Sequence, residues 1–396
     1  MIRNKRIILI IILLILIFSS YSFSENMDED SINITDKFLQ EQLDSLNIRE
    51  LELVLEDIIR GGEEYYPEIN IKETIVNMIK GKNIFDIKDI ASGISILLFK
   101  EILSNLVLIS EILIITIACS ILTNLQSTFE KDTVAQLAHY ACYIVLSMLV
   151  INSFMLALDL GKKTVVQMVN FMQIILPILL TLLIAVGGPN TKLLFHPMVI
   201  GTVNIIGSLI KDLVFPLIFF SFIIGIISNI SQKIQFSKLS ELIRQIIIIV
   251  ISASLTIFIG IITMYGISAK VDGITIRTAK FAVDNFIPII GKFLSDAVET
   301  VIGCSSILKN GIGIIGLIAL FLICIAPAVK IVVLIFVYKM IAAIIQPVAS
   351  PNITTCFSEV GKALLLILIG VLSVATMFFI TITVMVEAGN TTLMFR

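Results

Sequence analysis

The feature that most constrains this chain is a succession of long apolar runs. They lie near residues 102–122, 134–158, 164–186, 198–230, 242–265, 312–345 and 361–386. A helix that crosses a bilayer needs about 20 consecutive apolar residues to span a hydrocarbon core of about 30 Å. The expected fold class is therefore all-α: a polytopic helical membrane protein of about seven spans, with six to eight allowed. Two runs, 198–230 and 312–345, exceed one crossing, at roughly 50 Å each for a rise of 1.5 Å per residue. The first carries Lys211, Asp212 and Pro216, and the second carries Pro327 and Lys330. Pro177, Pro216 and Pro327 are the expected helix breaks, because proline removes a backbone donor inside a helix.

Composition agrees with this reading. Hydrophobic residues make up 57% of 396 and charged residues 15%, where a soluble domain carries about 25% charged residues. Mean hydropathy is +1.04. Lipid must cover what polar side chains cannot. The net charge of −2 is unevenly spread: residues 25–92 hold 17 acids and 7 bases, so an acidic head precedes a mildly basic body. No basic stripe stands on a polar face, so nucleic acid is not an expected partner.

The N-terminus reads as a secretory signal over 1–24. Arg3, Lys5 and Arg6 precede an apolar stretch from Ile7 to Phe18, too short to span, and Ser22-Phe23-Ser24 supplies small residues for cleavage. Residues 25–95 are expected as a small, acidic, helical, extracytoplasmic head. Leu51, Val54, Leu55, Ile58 and Ile59 fall on one helix face, and Ile71, Ile75, Met78 and Ile79 repeat the spacing after Pro67. The membrane bundle then divides into 96–265 and 311–396, separated by an amphipathic, interfacial 266–310. There Ile290, Phe293, Leu294, Ala297, Val298, Val301 and Ile302 line one face, while Lys292, Asp296 and Glu299 line the other.

Few residues point to chemistry. Gly311-Ile312-Gly313-Ile314-Ile315-Gly316 has dinucleotide-loop spacing, but it opens a membrane run instead of following a strand, so close helix packing explains it better. Ser252, Thr256 and Gly260 form a similar small-residue face. Gly161-Lys162-Lys163-Thr164 lacks the upstream glycine of a phosphate loop. His139 and His196 lack metal-ligand spacing. The five cysteines all lie outside the acidic head and read as small apolar fillers of membrane helices. No catalytic residue, cofactor or metal site is expected. The remaining candidates are intramembrane polar groups, Glu111, Lys211, Asp212, Arg244 and Lys330. Such groups usually face a bundle interior or water, often in pairs. They mark either a conduit or a structural Glu–Lys or Glu–Arg pair.

Certain stretches carry a resemblance. Leu176-Pro177-Ile178-Leu179-Leu180-Thr181 runs on to Val186-Gly187-Gly188. Phe236 to Gln245 follows, then Val271-Asp272-Gly273-Ile274-Thr275-Ile276-Arg277-Thr278-Ala279-Lys280-Phe281. The match continues through Phe286-Ile287-Pro288, Phe293 to Ala297, Leu308-Lys309-Asn310 and Glu387-Ala388-Gly389-Asn390. Together they resemble the stage III sporulation protein AE family of endospore-forming Firmicutes over most of 95–392. The resemblance implies a non-enzymatic, multi-pass subunit in the mother-cell membrane around the forespore. It implies a channel or export complex as the setting, with a secretion-type ATPase, ring-forming subunits and a forespore-side channel protein as partners. Asp272, Arg277, Lys280, Asp284, Lys292 and Asp296 become candidate partner contacts. A small-solute permease, working alone or within that complex, is the other reading, motivated by the two interrupted long runs.

Overall fold

A protein segment in hydrocarbon has no water to satisfy its backbone, so each apolar run must bond its own peptide groups as a helix. A computed structural model describes residues 49–60, 87–127, 132–186, 189–229, 236–286 and 290–394. Every regular element among them is helical: α1 (Arg49–Arg60), α2 (Ile87–Ser104), α3 (Leu106–Ser127), α4 (Asp132–Ala185) and α5 (Pro189–Ser208). A π-helical turn (Leu209–Val214) joins α5 to α6 (Phe215–Ser228), followed by α7 (Ser237–Phe286), α8 (Ile290–Ile345) and α9 (Pro351–Met394).

Six helical stretches among the described residues are long and apolar enough to cross a membrane: Gly93–Ile121, Tyr140–Ala185, Pro197–Ser228, Ser237–Met264, Thr300–Ile345 and Pro351–Glu387. The protein is an all-α, multi-pass membrane protein. The count falls at the low end of the expected range for one reason. The runs 134–158 and 164–186, expected as two spans, form the single 54-residue helix α4. The charges between them do not stop it. Asp159 and Lys163 stand one turn apart on its exposed side and pair at 2.8 Å, while Leu158, Gly161 and Val165 face inward. Polarity on one side of a helix does not end the helix.

The prolines also behave differently from the expected breaks. Pro177 and Pro327 lie inside continuous helices, as does Pro197. Pro216 sits in the first turn of α6, directly after the π-helical turn, where a missing N–H is tolerated. The stretch 266–310 is not one element: α7 carries it to Phe286 and α8 takes it up at Ile290.

Packing centres on α9, which lies against α8 most extensively and also touches α4, α6 and α7. The core is one apolar cluster, with Phe154 stacked on Phe222 at 3.9 Å between ring centroids. Helices in lipid gain little from hiding apolar surface, so close approach through small residues does much of the joining. Gly313 leaves room for Val386 of α9, and Gly316 for Ile175 of α4. A Cβ on either would overlap these side chains. The glycine-spaced motif is thus a packing face. Its counterpart at Ser252, Thr256 and Gly260 is exposed, with nothing within 4 Å of a Cβ at Gly260.

Several hydroxyls inside the bundle are satisfied by their own helix. Thr164 donates to the Leu160 carbonyl at 2.8 Å, Ser254 to Val250 at 2.7 Å and Thr381 to Met377 at 3.0 Å. Each uses the carbonyl four residues back. Within the segment expected as a head, α1 lies against α4 and α8 with Leu51 and Leu55 buried, two of the five residues expected on its apolar face. The signal segment and the second head helix lie outside the described residues.

Candidate functional site

The most developed polar site joins three helices at the end of the bundle where α6 finishes and α7 and α9 begin. Arg244 enters from α7, and its guanidinium pairs with the Glu359 carboxylate of α9. Both side chains are largely buried, at 16% and 12% exposure. The Arg244 Nε donates to Ser221 Oγ of α6 at 3.2 Å. Ser240, one turn before Arg244 on α7, donates its hydroxyl to the Ser221 carbonyl at 2.8 Å. Lys362 reaches back one turn along α9 to the other Glu359 oxygen at 2.8 Å. Both carboxylate oxygens are therefore engaged by cations.

Gly225 makes room for this cluster. A Cβ there would lie 3.1 Å from Glu359 Oε2 and 3.5 Å from both Arg244 Nη2 and Ser240 Oγ. Around it the end of α6 is tied down. Asn229 Nδ2 donates to the Gly225 carbonyl at 2.9 Å, and the Phe236 N–H to Ser228 Oγ at 3.0 Å. Buried Tyr143 of α4 donates its hydroxyl to the Ile226 carbonyl at 2.8 Å. Four helices thus meet in one satisfied polar network. It contains no activated nucleophile, and its one carboxylate is occupied on both oxygens. Chemically it is a clamp: a charge pair with hydrogen-bonded walls that fixes α6, α7 and α9 to each other.

The other sequence candidates fall elsewhere. Glu111 is exposed on α3, and Lys330 is exposed on α8. Lys211 and Asp212 share the π-helical turn, 3.5 Å apart and partly exposed. Of the five intramembrane candidates, Arg244 alone enters the clamp. Asp272, Arg277, Lys280 and Asp284 belong to the far part of α7, and Lys292 and Asp296 to the first turns of α8. Their side chains lie outside those described, as do those of His139 and His196.

Two further groups were not singled out by sequence. Glu359 sits two residues before the last apolar run begins, where a carboxylate reads as a flank. Lys309 is fully buried on α8, and among the described residues neither its Nζ nor the neighbouring Asn310 Oδ1 has a hydrogen-bond partner. Nothing in the spacing around Lys309 marks it as interior. All five cysteines are buried and none forms a disulfide, and no group of three or more His, Cys, Asp or Glu among the described residues is placed to hold a metal.

With this geometry in hand, comparison with known proteins gives a consistent result. The family model described as stage III sporulation protein AE matches residues 69–389. A curated stage III sporulation protein AE from Bacillus subtilis (strain 168) is 35% identical over 390 residues, covering 98% of this chain and 97% of that protein. No solved structure matches. The expectation raised by residues 271–310 and their companions is met, and this chain belongs to the stage III sporulation protein AE family.

Proposed function

We propose that the protein is the integral-membrane subunit of a mother-cell-to-forespore channel or export complex required for sporulation after engulfment. The observation that carries this reading is membership of a sporulation family combined with six membrane-length helices. Supporting it, Arg244, Glu359 and Ser221 engage one another as a clamp that fixes helices together. The protein acts as a platform, without catalysis or a nucleotide site of its own. Work is supplied by a secretion-type ATPase, with ring-forming subunits and a forespore-side channel protein completing the path. The acidic head faces the space between the two membranes.

Clean deletion tests this reading. The expected result is arrest of forespore development after engulfment, restored by the intact gene; normal spores from the deletion strain refute it. The partner role of Asp272, Arg277, Lys280, Asp284, Lys292 and Asp296 is tested by charge reversal at Arg277 and Lys280. Complex recovery should be lost while the protein stays in the membrane, and unchanged recovery removes the segment from the contact.

A second reading is favoured by one observation, the π-helical turn that places Lys211 and Asp212 mid-helix. Interrupted helices commonly line transport sites. On this reading the bundle conducts a small solute, alone or within the complex. Uptake by the purified protein in liposomes, lost on Lys330→Ala, supports it; liposomes that stay impermeable exclude conduction by the protein alone.

A further inference from the structure

Four of the helices are too long for the membrane they cross. With 54, 50, 56 and 44 residues, α4, α7, α8 and α9 run about 66–84 Å at 1.5 Å per residue. A hydrocarbon core is about 30 Å thick. The bilayer therefore covers less than half their length, and the question is which part.

Helix register settles the heights. Gly161 of α4 lies against Phe215 of α6 and Ile367 and Val371 of α9, and Gly370 lies against Phe215 and Ile210. On α8 and α9, Lys339 meets Gly361 and Gly316 meets Ile382, which sets Lys330 opposite Gly370. Asp159, Lys163, Lys211, Asp212 and Lys330 therefore lie at one height. All are exposed or partly exposed, Lys163 at 71% and Asp212 at 62%. They form a charged girdle around the middle of the bundle.

On one side of the girdle α4, α5, α8 and α9 each carry no charge for about 20 residues, or about 30 Å, and α7, which Arg244 sets level with Glu359 of α9, carries none over 245–269. The clear intervals are 164–185 on α4, 193–210 on α5 and the π-helical turn, 310–329 on α8 and 370–386 on α9. They close together, because the contacts of Gly207 with Val169 and of Asn204 with Gln173 set Lys192 level with the end of α4. Exposed Glu387 closes the interval on α9, while Lys309, at the same level on α8, is buried inside the bundle. On the other side, exposed Lys339 and Lys362 interrupt the surface only 7–9 residues below the girdle, about 10–13 Å. Apolar side chains are exposed in both halves, so apolarity does not choose between them. The charges do, since ionised groups deep in lipid are costly.

We propose that the acyl core of the bilayer occupies the half bounded by the girdle and by the level of Lys192 and Glu387. The girdle lies at one headgroup boundary, where lysines extend toward phosphate. The half that holds the Arg244–Glu359 clamp stands out of the bilayer by about 25 Å. This placement stands apart from the proposed sporulation role.

The chain contains no tryptophan, so a single introduced one reports without background. Ile205→Trp and Phe321→Trp lie in the proposed lipid layer, and Met148→Trp and Phe220→Trp in the other half; all four positions are exposed. The full-length protein is reconstituted into phosphatidylcholine vesicles with or without brominated acyl chains. Ile205→Trp and Phe321→Trp should lose most of their fluorescence in brominated lipid, and Met148→Trp and Phe220→Trp little. Equal loss at all four, the reverse order, or no loss at any overturns the placement. In the same vesicles Lys163→Cys should react with a hydrophilic maleimide added to both sides of the membrane, and failure to react also overturns it.

Discussion

The Arg244–Glu359 pair gives the sharpest test of the clamp. Removing one member of a buried ion pair costs about 3–5 kcal/mol, because the partner is left as an uncompensated charge. The surroundings make the two single losses unequal. In Arg244→Ala, Glu359 keeps Lys362 on one oxygen at 2.8 Å, but Lys362 is 57% exposed and gives weak compensation. A loss of about 2–3 kcal/mol follows. In Glu359→Ala, the guanidinium keeps only the neutral Ser221 hydroxyl at 3.2 Å, and Lys362 loses its partner too. That loss should reach about 3–5 kcal/mol. Replacing both with apolar residues, as in Arg244→Met with Glu359→Leu, should cost less than either single change, because no charge is left stranded. The assay is reversible unfolding in mixed micelles, arranged as a double-mutant cycle with Arg244→Ala and Glu359→Ala, where coupling of about 2 kcal/mol or more is expected. Coupling within about 0.5 kcal/mol of zero would refute the claim that the pair works as one unit.

Three other outcomes are expected. Gly316→Val drives a side chain into Ile175, so folded yield falls and stability drops by about 1–3 kcal/mol, read by thermal unfolding of the purified protein. Tyr143→Phe removes the buried hydroxyl from the Ile226 carbonyl at 2.8 Å and costs about 0.5–1.5 kcal/mol in the same assay, since that carbonyl keeps the Asn229 N–H at 3.0 Å. Asp159→Ala, which breaks an exposed one-turn pair, changes stability by only about 0.3–0.5 kcal/mol, and a loss comparable to Glu359→Ala would contradict its surface placement.

What the sequence made legible follows from what lipid demands. Run length and composition set the helical class, since backbone satisfaction leaves a long apolar segment little choice. The face Leu51, Val54, Leu55 emerged from spacing, and the structure buries Leu51 and Leu55. The glycines at 313 and 316 were legible as packing residues because no strand precedes them. Pairings between helices were not legible. Glu359 is 115 positions from Arg244 and sits at the rim of a run, so nothing local ties one to the other. The division of α4 was misplaced for a related reason. A sequence window averages all sides of a helix, so Asp159 and Lys163 read as an interruption, although they occupy one face of an unbroken helix. Lys309 lies between two apolar stretches, and its burial depends on neighbours the local sequence does not contain.

The joining devices of this bundle are spread along its height, and that spread has a measurable consequence. Gly313 and Gly316 seat α8 against α9 and α4 near one end of the apolar layer, Gly161 admits Ile367 and Phe215 at the girdle, and the clamp closes the opposite half. Gly316 meets Ile382 of α9, while the clamp uses Glu359 of the same helix. The two lie about 35 Å apart along α9. No side chain is shared between them. Sites so far apart should contribute independently, so the losses of Gly316→Val and Arg244→Ala should add to within about 0.5 kcal/mol. Gly225→Ala with Arg244→Ala should not add, because the Cβ would press on the same carboxylate that Arg244 holds. If the distant pair fails to add while the near pair does, the bundle is joined by something other than these separate contacts.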